Sequence, residues 1–118
     1  MIHVIAAAML VQAQPIPALV VTGQNNHNWQ YTSRMLADTL DSTGRFRVTV
    51  TDDPATDFAK PDFLGSFKVI VLDYNNGDSG KRWGADAEAN FLRAVSGGTG
   101  VVAVHAANNA FKGWDEYE

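Results

Sequence analysis

The sequence predicts an α/β protein built on a parallel β-sheet, and three observations carry that expectation. Near-continuous apolar runs recur at Ala18-Leu19-Val20-Val21, Val69-Ile70-Val71-Leu72 and Val101-Val102-Ala103-Val104, the pattern of strands covered on both faces. Segments with helical spacing of apolar residues lie between them, so strands and helices alternate along the chain. Each run ends in a polar loop, where an open α/β sheet places its ligand crevice.

Length and composition set the bounds. A chain of 118 residues makes one domain and buries roughly two-thirds of its unfolded surface. With 46% hydrophobic and 19% charged residues it has an ordinary globular composition. A net charge of −4 and nine scattered Lys and Arg argue against nucleic-acid binding and against docking on anionic lipid. The absence of cysteine excludes disulfides, thiolate metal sites and a cysteine nucleophile in this chain. Residues 1–14 form a leader: Val4 to Val11 is apolar, and Val11-Gln12-Ala13 suits a signal peptidase. Met1-Ile2-His3 lacks the positive charge of a signal sequence, and the run is too short to cross a bilayer. The leader is therefore expected to be a signal peptide of a periplasmic or secreted protein, or a disordered extension of a cytoplasmic one.

Residues 15–118 form the domain. Pro15 and Pro17 set off the first strand, Ile16 to Thr22. Gly23-Gln24-Asn25-Asn26-His27-Asn28 is a loop, because Gly and Asn supply turn geometries and cap helices. Trp29 to Ser42 reads as a helix with Tyr31, Met35, Leu36, Thr39 and Leu40 on its inner side, stopped by Gly44. Phe46 to Thr51 alternates apolar and polar residues, as a strand at a sheet edge does. Asp52-Asp53 caps the turn after this strand, and Pro61 limits Ala55 to Ser66 to a short helical turn and loop. Lys68 to Tyr74 is the third strand, and Asn75 to Gly80 a second polar loop. Ala85 to Ser96 is a helix with Ala87, Phe91, Leu92 and Val95 inward, Asp86 and Glu88 in its first turn, and Gly97-Gly98 as its stop. The last apolar run, opened by Gly100, reads as a buried strand.

The wetter second strand favours the strand order 2-1-3-4 of flavodoxin-like sheets, whose switch point lies between strands one and three. The loops after Thr22, Tyr74 and His105 then converge on one mouth. Trp114 to Glu118 reads as the opening of a further helix, and doubly wound sheets usually have a fifth strand, so the chain is expected to be the N-terminal part of a longer domain.

The loops carry distinct chemistry. Neither G-x-G-x-x-G nor a Walker A pattern is present, and the turn after Val104 offers no Ser or Cys nucleophile. No cofactor signature stands out; a divalent metal is the one candidate. The loops instead supply Gln24, Asn25, Asn26, Asn28, Asn75, Asn76, Asn108 and Asn109, with Trp29, Tyr74, Phe111 and Trp114 at the same rim. Carboxamides donate and accept, as hydroxyls do, and flat rings suit sugar C–H faces. The expected ligand is a small neutral carbohydrate, although Asn is also a common turn and capping residue. His27 and His105 are the candidate acid and base, or two ligands of a metal completed elsewhere. Asp73, at the end of the third strand, is placed to orient a histidine or to pair with Lys68 or Arg82.

These residues resemble a known family. Val20-Val21-Thr22-Gly23-Gln24-Asn25-Asn26-His27-Asn28-Trp29 is similar to the opening motif of ThuA-like (trehalose utilisation) domains. Val102 to Phe111, with Gly113-Trp114 and Glu116-Tyr117, resembles the second signature, and Val71-Leu72-Asp73-Tyr74-Asn75 fits the third-strand pattern. The resemblance implies a fold like that of class I glutamine amidotransferases without the catalytic cysteine. It also implies a role in catabolism of trehalose-like disaccharides or their keto derivatives, often in secreted bacterial proteins. By motif match, Gln24, Asn25, His27, Trp29, His105, Asn108 and Asn109 would line the pocket. Two functions are compatible: a carbohydrate-processing enzyme such as a hydrolase, lyase or isomerase, or a non-catalytic sugar-binding module attached to another domain.

Overall fold

A computed structural model describes residues 13–118; the apolar run Val4 to Val11 lies outside the described residues. The chain forms strand β1 (Ile16–Val21), helix α1 (Trp29–Ser42), β2 (Phe46–Thr51), α2 (Pro54–Phe58), β3 (Val69–Leu72), α3 (Ala85–Ser96) and β4 (Gly100–Ala103). All pairings are parallel and the order is β2-β1-β3-β4, as the edge-like pattern of Phe46 to Thr51 suggests. The register sets Val21 beside both Thr51 and Leu72, and Leu72 beside Ala103, so the strands end nearly level. Their tips form one platform for the connecting loops.

Alternate residues of each strand face opposite layers. Leu19, Val21, Ile70 and Leu72 point to the layer of α2 and α3, where they meet Phe58, Ala87 and Phe91 in the main core. Trp83, Phe111 and Trp114 complete that core, with Trp83 standing edge-on to Phe58, Phe91 and Phe111 at centroid distances of 4.6–5.5 Å. Asp53 caps α2 by accepting a hydrogen bond from the Thr56 backbone N–H, and Pro54 fills its first turn.

The opposite face differs from the sequence expectation. α1 packs over β1 and β2, leaving part of the sheet uncovered. Val69, Val71, Val102 and Val104 therefore line an apolar groove of about 500 Å³ with Tyr31, Met35, Leu36 and Leu40. Tyr31 and Met35 are exposed, and Ser33 is the buried residue of α1. β4, read as buried from its apolar run, is exposed along its whole length because, among the described residues, β3 is its one strand neighbour and no helix covers its α1-side face. After β4 the chain enters a short 3-10 turn, His105–Asn109, and Trp114 to Glu118 forms a further turn in which Tyr117 N–H donates to Trp114 O at 2.8 Å.

Candidate functional site

The site is assembled by the chain leaving β1, β3 and β4. Gly23 turns the β1 exit with φ of +104°, because β2 lies too close for a side chain there. The loop beyond it carries His27, and the β4 exit carries His105. The two imidazole centroids are 4.7 Å apart, with their planes tilted by 42°. They open on a cavity of about 370 Å³ lined also by Asn25, Asn28, Thr32, Asp73, Val104 and Ala106. The β1 and β4 loops thus meet at one mouth.

His105 has φ of +47°, in the left-handed region that non-glycine residues seldom occupy. Strain of this kind persists where the surroundings over-determine it, and it recurs at functional sites. Here the strand-to-turn elbow is held from β3: the Asn75 amide donates to Ala106 O at 2.6 Å while its Oδ1 accepts from Gly77 N–H.

Asp73 forms the cavity wall beneath the β1 loop. It is 4% exposed, accepting from Thr32 Oγ1 at 2.6 Å and Asn25 Nδ2 at 3.1 Å. It pairs with neither Lys68 nor Arg82; Arg82 is held by Glu88. The sequence marks Asp73 as a residue to orient a histidine or to pair with a cation, whereas Thr32 stands outside the residues picked out there. An acid directly after four apolar strand residues is the signal for Asp73; Thr32 gives none, since a threonine in a first helical turn usually faces solvent.

Most of the expected amide and aromatic positions serve elsewhere. Gln24 donates to Asn76 O at 2.9 Å and lines a separate crevice with Asp52, Asp53, Lys81 and Arg82. Asn75 and Asn76 are buried, and Asn76 accepts from Phe111 N–H at 2.8 Å and donates to Lys81 O. These side chains clasp the three loops to one another. Asn108 and Asn109 are exposed; Asn108 lines another cavity with Leu72, Phe91 and Glu116. Trp29, partly exposed at the start of α1, is not among the residues around the histidine pair.

Tyr74, Phe111 and Trp114 do not offer faces at the rim. Phe111 and Trp114 are 1% exposed and Tyr74 8%, Phe111 stacking on Tyr74 at 5.6 Å and meeting Trp114 edge-on at 5.4 Å. Burying such large apolar surfaces is worth more than any rim contact, so they go to the core. Burial also pushes up the Tyr74 phenol and raises that of Tyr117 to about 12. Among the described residues no group of three or more His, Asp or Glu is arranged to hold a metal ion.

A parallel α/β sheet with a polar cavity at its strand tips defines the class: an open-sheet α/β domain. The family model described as ThuA, trehalose utilisation, matches residues 17–118, and the chain belongs to that family. Among solved structures it is similar to a protein from Parabacteroides merdae described as ThuA-like, at 39% identity and a TM-score of 0.74. The match covers 87% of this chain and 37% of that protein's length. No curated protein matches the chain.

Proposed function

We propose that this chain supplies the histidine-bearing part of a carbohydrate-processing site, acting on a trehalose-like disaccharide or keto-sugar. The observation that carries the reading is the pair of imidazoles, 4.7 Å apart on separate loops at the strand tips of a trehalose-utilisation fold. Imidazole exchanges protons near neutral pH, so two rings at one mouth can take a proton from one sugar oxygen and return it to another. Asn25, Asn28 and Thr32 provide hydroxyl-compatible groups around them. A divalent ion at the two imidazoles would draw its remaining ligands from outside this cluster. The family context also favours a secreted bacterial protein with an amidotransferase-like framework.

The test is His105→Ala in the complete protein, assayed against disaccharides and their keto derivatives. Turnover is expected to fall by at least about a hundredfold, the scale of a lost acid–base group. Retained turnover abandons the role of His105. A second reading is a sugar-binding module, for which Asn25, Asn28 and Thr32 lining the cavity are the supporting observation: it predicts binding by calorimetry without turnover, persisting in the His27 and His105 variants.

A further inference from the structure

We infer that Asp73 is the positioning residue for His27, acting through the Asn25 carboxamide. This rests on the proposed function only in treating the two imidazoles as the working groups. Asp73 Oδ1 accepts from Asn25 Nδ2, and Asn25 Oδ1 in turn accepts from His27 N–H at 3.1 Å. Asn25 is thus a two-ended spacer between a buried carboxylate and the backbone of an exposed histidine. An acceptor-only group at one end fixes which way the amide points, since a carboxylate can receive only the NH₂ side. The carbonyl oxygen is then left facing His27.

Three further observations support the assignment. Asp73 is buried and forms no ion pair among the described residues; the Thr32 hydroxyl and the Asn25 amide are its donors. Its second oxygen accepts from the Thr32 hydroxyl in the first turn of α1, and Thr32 N–H donates to Asn28 O at 3.0 Å; both ends of the His27 segment are therefore anchored. The opposite ring is fixed from the same strand end, since Asn75, two residues on, grips the elbow after His105. The tip of β3 sets the separation of both imidazoles, although it contributes neither.

The proposal is tested by NMR on the full chain, with amide exchange at His27 and the NOE between the His27 and His105 rings as readouts. Neither depends on any substrate, so the outcome is independent of the sugar reading. The unaltered protein is expected to show the inter-ring NOE, and Asn25→Ala to lose it while His27 amide exchange quickens about tenfold or more. Core NOEs between Tyr74 and Phe111 should persist in that variant. Asp73→Ala should behave like Asn25→Ala, whereas Asp73→Asn, which retains an acceptor, should recover most of the NOE. Absence of the NOE in the unaltered protein, or its survival at full strength in Asn25→Ala, overturns the inference.

Discussion

Gly23 permits a quantitative test of how β1 hands the chain to the site. A β-carbon built on Gly23 falls 1.9 Å from Asp52 O and 2.7 Å from Asp52 C, at a φ of +104°. Gly84 shares that φ but has open space around its β-carbon position. The pair separates backbone strain from collision. Strain common to both costs about 1–3 kcal/mol on substitution by alanine. The collision applies to Gly23 alone, and its partner is backbone, so the tip of β2 must move; overpacking of this kind adds about 1–3 kcal/mol. At about 4 °C per kcal/mol for a domain near this size, Gly23→Ala should melt about 4–12 °C below Gly84→Ala. Thermal unfolding followed by circular dichroism, with both variants in one buffer, measures the difference. Equal melting temperatures would refute the close approach of the β1 exit to Asp52, and with it the placement of the loop carrying His27.

Three other outcomes are expected. Trp114→Ala should cost about 3–5 kcal/mol, read by denaturant unfolding, because the indole is enclosed by Trp83, Phe111 and Tyr117. The Tyr117 phenol holds its proton to about 12 in the folded state, raised by burial, and ionises near 10 when unfolded. The folded chain therefore binds more protons between about pH 10 and 12, and stability falls as pH rises through that window; Tyr117→Phe should make the decline in Tm shallower. His105→Gly should leave Tm unchanged or higher, because the glycine relieves a left-handed φ that costs about 1 kcal/mol for other residues. A clear fall in Tm would count against the strain at that elbow.

The sequence was most informative where local chemistry decides the outcome. The ends of α1 and α3 follow from Gly44 and Gly97-Gly98, and the sheet order from the half-polar pattern of Phe46 to Thr51. Side-chain destination was harder to read. Val101 and Val102 have the same composition whether a neighbouring element covers them or not, so the exposure of β4 is invisible in the run itself. Phe111 and Trp114 sit beside polar loop residues in the chain, yet turn inward because the α3 side of the sheet has room for them. The partners of the amides were hard to read for a related reason: a carboxamide suited to a hydroxyl suits a peptide group equally well. That Asn76 meets Phe111, or Asn75 meets Ala106, depends on contacts more than thirty residues apart. The proximity of His27 and His105 was legible, because it needs only the strand order and the rule that loops gather at strand tips.

The outer margin of β4 is built to extend the sheet. Gly100 and Val104 turn their N–H groups toward β3, so those of Val101 and Ala103 project sideways into solvent. No charge, proline or bulge interrupts Gly100 to Ala103, whereas Arg47 lies in the opposite border strand. Within the described residues, that side of β4 therefore presents its backbone groups in the geometry a further parallel strand of the same sheet would take.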